Sequence, residues 1–106
     1  MAEKINKEKL KEKIEKGENL RILDVRDTPE YEKEHIKGAE HLLISEMDEK
    51  AESMFNKNET IITYSEDIDC PAKKIAADKL EKMGFKNILY YPGSWKDWKE
   101  AGYPTE

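Results

Sequence analysis

The sequence predicts an α/β fold built on a largely parallel sheet, and three observations predict it. Short apolar runs of strand type alternate with stretches of helical periodicity along most of the chain. The most β-rich run, Thr60 to Tyr64 (T-I-I-T-Y), is apolar and β-branched, as befits a strand covered on both faces. Glycines at 17, 38, 84 and 102 punctuate the helical stretches, which open on cap-type residues or proline.

Taken in order, Ile5 is expected in a short first strand. Asn6 is a candidate N-cap for a helix through about Lys16, with Leu10 and Ile14 on its apolar face and Gly17 as its stop. Arg21 to Val25 (R-I-L-D-V) reads as a strand. Thr28-Pro29 then signals an N-cap followed by proline at the first helical position, with Glu30 in the first turn, where the helix dipole favours acid. Ala39 to Ile44 is the next expected strand. Ser45 with Asp48 resembles a capping box for a helix to about Phe55, whose apolar face is Met47, Ala51, Met54 and Phe55. After the Thr60–Tyr64 strand and a loop, Pro71 opens a helix to Met83 with a core stripe of Ile75, Ala76, Leu80 and Met83. Phe85 to Tyr91 is the last strand. Ser94 with Asp97 again resembles a capping box, opening a short helix that carries Trp95 and Trp98.

The chain has 106 residues, which by default is one domain, 1–106. Its apolar residues come in short bounded runs, none long enough to span a bilayer. Lys plus Arg is 19 against 24 for Asp plus Glu, a net charge of −5, which offers no basic footprint for nucleic acid. The one cysteine excludes an internal disulfide and any multi-cysteine metal site. No metal or cofactor is expected, and no membrane partner. The N-terminal M-A-E-K-I-N-K-E lacks the apolar core of a signal peptide, so a cytoplasmic location and a monomer are expected.

The stretch from Ile61 to Ala77 concentrates whatever chemistry the chain has. Ligands in open parallel sheets bind beyond the carboxyl ends of strands, and the loop after Tyr64 is such a place. Where a loop runs into a helix N-terminus, backbone N–H groups and the helix dipole attract anions and stabilise thiolates. Cys70 lies at that junction, immediately before Pro71. A thiol there can be activated, because the thiolate is the nucleophile. Glu66, Asp67 and Asp69 oppose this, since like charge disfavours a second anion. Lys73 and Lys74 are the nearest compensating cations. Two readings of Cys70 follow: an activated nucleophile, or a small residue packing at a helix start.

These residues resemble the rhodanese family. L-D-V-R-D-T-P-E-Y-E-K-E-H-I-K-G-A-E-H (23–41) is similar to its signature of Asp-x-Arg, then Glu-[Phe/Tyr], then His-Ile-x-Gly-Ala. A-A-D-K-L-E-K-M-G-F-K-N-I (76–88) is similar to the helix and strand after its active loop. Y-P-G-S-W-K-D-W-K-E-A-G-Y-P (91–104) is similar to its ending of Gly-Gly, Trp and Ala-Gly-x-Pro. The resemblance implies a five-stranded, mostly parallel sheet with helices on both faces. It also implies a cysteine after the central strand that takes up a persulfide in a cradle of backbone amides. The common loop of the family is Cys-x-x-Gly-x-Arg. This chain has Ser65 at the cysteine position, lacks the glycine and arginine, and carries a loop about two residues longer. It resembles a variant with Tyr-Cys, a few residues, then Cys-Pro-Ala, in which the first cysteine is replaced and the second kept as Cys70.

The resemblance therefore implies a sulfurtransferase. A donor such as thiosulfate would pass sulfur through the protein to a thiol, a cyanide-type nucleophile or a protein acceptor. Cys70 and Ser65 are the candidate catalytic positions, and Glu66, Asp67, Ile68 and Asp69 the candidate substrate or anion loop. Ser65 cannot form a persulfide, so activity would be impaired unless Cys70 serves. The alternative is an inactive rhodanese-like binding or regulatory module. A phosphatase of the same fold would need a cysteine at 65 and an arginine in the loop, and neither is there. Asp24 and Arg26 are expected to tie strand to loop, and His35 to pack and hydrogen-bond before Gly38. His41 is expected on a strand, and Trp95 and Trp98 in the core or at the rim, with Trp95 a candidate to line the cleft.

Overall fold

The computed structural model describes residues 2–106. Its elements alternate as the sequence predicts: β1 (Glu3–Lys4), α1 (Lys7–Glu15), β2 (Leu20–Asp24), α2 (Thr28–Lys33), β3 (Glu40–His41), a 3-10 turn (Ile44–Glu46), α3 (Met47–Met54), β4 (Thr60–Tyr64), α4 (Ala72–Lys82), β5 (Asn87–Tyr90) and α5 (Ser94–Glu100). The five strands form one sheet in the order β1-β5-β4-β2-β3, and every pairing is parallel. β4 is central, as its β-branched run foretold.

Alternation along the strands sends side chains to two cores. Leu23, Val25, Ile61 and Ile88 pack with Met47, Ala51, Ala76, Ala77 and Leu80 from α3 and α4 on one face. Ile22, Ile62 and Tyr64 pack with Leu10 of α1, Ile36 and Trp98 of α5 on the other. The helices thus flank both faces. Register matters at the carboxyl end, where Asp24 of β2 lies beside Tyr64 of β4. Both face the same side, and Tyr64 Oη donates to Asp24 Oδ2 there.

Local chemistry explains most boundaries. Asn6 caps α1, its Oδ1 accepting from Lys9 N at 2.8 Å. Gly17 follows α1 with φ of 70°, a left-handed turn that glycine adopts without Cβ strain. Several expectations are corrected. The third strand is only Glu40–His41: Leu42 N still bonds Asp24 O at 3.2 Å, and the chain then tightens into the 3-10 turn. Ser45 lies inside that turn and caps nothing. Thr28 is the first residue of α2, with Asp27 before it and no side-chain cap. Pro71 precedes α4 rather than opening it. The stripe of α4 is rotated from the predicted one, with Ile75 51% exposed and Lys73 4% exposed. A lysine takes the buried position because the loop before the helix supplies its ammonium with carbonyl partners.

Candidate functional site

The site forms where β2 and β4 end side by side. From β2 comes Arg26, only 6% exposed. Its Nε and Nη2 donate to the Asp24 carboxylate at 3.0 and 2.8 Å, and Nη2 also donates to Glu34 O at 2.6 Å. Its guanidinium lies 4.7 Å from the centre of the Trp95 ring. Asp24 is fully buried and accepts from the Arg26 N–H and from Tyr64 Oη as well. Burial and the neighbouring Asp24 charge push the Tyr64 phenol well above its ordinary pKa, so it stays a donor. Asp24 and Arg26 therefore tie strand to loop as expected. His35 stacks on Tyr31, with Nδ1 2.7 Å from Tyr31 O. His41 lies on β3, stacks against Tyr31 as well, and sets Nε2 2.7 Å from Arg26 O. Both histidines act as framework here.

From β4 comes the loop 65–71. Ser65 is buried, and its N–H donates to Ser94 Oγ at 3.1 Å. Ser94 in turn donates to Tyr91 O at 3.0 Å. Ser94 holds φ of 63°, a left-handed conformation uncommon outside glycine, and so spends local strain on positioning the loop. It is a loop anchor and not a capping-box residue; Asp97 instead accepts from Tyr91 Oη at 2.7 Å. At the other end, Asp67 Oδ1 accepts from Asp69 N and Cys70 N, both at 3.1 Å, folding the acidic segment on itself.

Cys70 lines one cavity with Ser65, Glu66 and Ala72, and its carbonyl accepts from the Ser65 hydroxyl at 3.2 Å. Burial pushes the thiol pKa up. The Ala72 N–H, the Ser65 hydroxyl, the Glu66 N–H and the Lys73 charge pull it down, and the outcome lies below the ordinary thiol value. The three loop carboxylates do not reverse that direction. Lys73 is the cation that faces the loop: Nζ donates to Cys70 O at 2.5 Å, Asp67 O at 2.9 Å and Ile68 O at 3.4 Å. Lys74 points away and pairs with Asp78.

The expected anion loop is divided by the geometry. Ser65, Glu66 and Cys70 line a cavity of about 430 Å³ together with Arg26, Asp27 and Glu30. Asp67, Ile68 and Asp69 line a separate groove on the far side of the loop, against Lys7 and Lys96. Arg26 and Lys73 take parts the sequence suggested, one tying strand to loop and the other facing the loop as a compensating cation, whereas the anchoring of Ser65 by Ser94 was concealed behind a capping-box spacing. Among the described residues, no three His, Cys, Asp or Glu side chains gather into a metal-binding cluster.

A parallel sheet in this order, with the 65–71 loop at the carboxyl end of the central strand, defines the class of domain. Residues 6–101 match the rhodanese-like domain, and the chain belongs to that family. It is 35% identical over 97 residues to YrkF of Bacillus subtilis, named provisionally as a sulfur carrier protein, covering 89% of this chain and 49% of YrkF. The chain thus spans about half the length of that relative. It is 32% identical over 90 residues to the thiosulfate sulfurtransferase GlpE of Coxiella burnetii, covering 85% of this chain and 80% of GlpE. Among solved structures, the Alr3790 protein of Anabaena superposes with a TM-score of 0.87 at 32% identity, over 96% of this chain and 81% of that one. The BH2092 protein of Bacillus halodurans reaches 0.91 at 26% identity, over 99% and 77%. No helix among the described residues is long and apolar enough to cross a membrane.

Proposed function

We propose that this chain is a rhodanese-like sulfurtransferase in which Cys70 carries the sulfane sulfur. The observation that carries the reading is the place of Cys70. Although displaced by five positions, it lines one cavity with Ser65, Glu66 and Ala72. That is the start of the loop, where the family holds its persulfide. In the first step the Cys70 thiolate attacks the outer sulfur of a donor. The donor's S–S bond breaks, the leaving group departs with the electron pair, and Cys70 holds a persulfide. A nucleophilic acceptor, such as a thiol or a protein cysteine, then takes the outer sulfur and returns Cys70 to a thiolate. Ser65 positions the Cys70 backbone, its hydroxyl donating to Cys70 O at 3.2 Å.

The names of the relatives, a sulfur carrier and a thiosulfate sulfurtransferase, support the class of chemistry. The test is to incubate the protein with polysulfide and other sulfur donors and to map modified peptides by mass spectrometry. A mass increase of one sulfur atom on Cys70, reversed by a thiol acceptor, is expected. If no donor modifies Cys70, the chain is a binding module of the same fold.

A further inference from the structure

The cavity beside Cys70 has a charge arrangement that sulfur transfer alone does not require. Arg26 is more than nine-tenths buried in its wall. Its Nε and Nη2 are committed to Asp24 and to Glu34 O. Its Nη1 faces the Glu66 carboxylate at 3.6 Å, beyond hydrogen-bond length. The fully buried Asp24 already balances the Arg26 charge. Asp27, Glu30 and Glu66 therefore leave the lining with uncompensated negative charge. Lys73 does not line this cavity, and its ammonium is taken up by three loop carbonyls. An entering oxyanion would meet like charge, with the N–H groups of Asp69 and Cys70 already engaged by the Asp67 carboxylate.

We propose that Glu66, held against Arg26 at the wall of this cavity, selects the charge of the sulfur donor. The chain takes its sulfur from a persulfide whose carrier bears no negative charge near the reacting atoms, and it discriminates against small anionic donors such as thiosulfate. This rests on the sulfur-transfer reading above and names its donor class. The step balances without a further reactant. The Cys70 thiolate attacks the outer sulfur of R–S–SH, the donor's S–S bond breaks, Cys70–S–SH forms, and RS⁻ leaves with the electron pair.

The experiment compares two persulfides that differ only at the far end, cysteamine persulfide (an amine) and 3-mercaptopropionate persulfide (a carboxylate). Persulfidation of Cys70 in the full chain is timed by mass spectrometry at low and at high ionic strength. The amine donor is expected to react roughly tenfold faster at low salt, the scale on which charged clefts alter encounter rates. The advantage should collapse near 1 M salt, where the screening length is about 3 Å. In the double variant Glu30→Gln, Glu66→Gln the ratio should fall toward one because the carboxylate donor speeds up. Equal rates in the unaltered protein, or a faster carboxylate donor, would overturn charge selection while leaving Cys70 as the carrier. Failure of both donors to modify Cys70 would overturn the sulfur-transfer reading as well.

Discussion

The two strand ends that make the site are built on opposite principles. At the end of β2, Asp24, Arg26 and Tyr64 are buried and joined by short side-chain hydrogen bonds, and Arg26 is sandwiched against Trp95. At the end of β4, the loop 65–71 is held mainly by backbone carbonyls and one aspartate turn, and Glu66, Ile68 and Asp69 are exposed. The first is a wall whose charges satisfy one another. The second is a loop tied down through its own backbone. The difference teaches that frame and loop can vary separately: the chain has Ser65 where the family's common loop has cysteine and its one cysteine at position 70, while the wall facing the loop keeps its expected form.

The sharpest way to break this contrast is Asp24→Asn. It leaves the buried Arg26 guanidinium without its counter-charge, and a loss of about 3–5 kcal/mol is expected in urea unfolding. A loss no larger than that of a surface substitution would show that the wall is not held by this pair. Lys73→Met is next. It strips three loop carbonyls of their donor, at a cost of about 1–3 kcal/mol, and it removes a charge that lowers the Cys70 pKa. Alkylation of Cys70 should then need a higher pH. Ser65→Ala should cost less stability, about 1 kcal/mol for one hydrogen bond. Its hydroxyl also favours the thiolate, so the alkylation profile should move upward here too. The smallest effect is expected at Ile75→Lys, within about 0.5 kcal/mol, as for an ordinary surface site. Leu80→Ala on the buried stripe of the same helix should cost about 2–5 kcal/mol. Equal costs at 75 and 80 would contradict the observed rotation of α4.

The fold was legible because local signals and the global pattern agree. Thr60–Tyr64 could only be an inner strand, and Asn6 and Gly17 bracket α1 as caps should. The misreadings have a common cause. Ser45, Ser94 and Ile75 were assigned from spacing along the chain, whereas tertiary partners decide their roles. Ser94 looks like a helix cap until Ser65 N is found beside its hydroxyl. Ile75 looks like core until Lys73 is found bonded to carbonyls that lie outside its own helix. The site was legible as a loop and a cysteine. The placement of Cys70 beside Ser65 was not, because it depends on how the Asp67 turn folds the six loop residues between Ser65 and the helix. Nor could the sequence divide 66–69 between the Cys70 cavity and the groove behind it.

The central claim is that the displaced thiol is an activated one. Its most direct test is the rate of Cys70 alkylation by iodoacetamide measured against pH. Cys70 is the only cysteine, so the signal belongs to it alone. The structure predicts a sigmoidal rise with its midpoint below that of a free cysteine thiol measured alongside, because backbone N–H groups, the Ser65 hydroxyl and Lys73 favour the thiolate. A midpoint at or above that value would contradict the account and return Cys70 to the role of a packing residue.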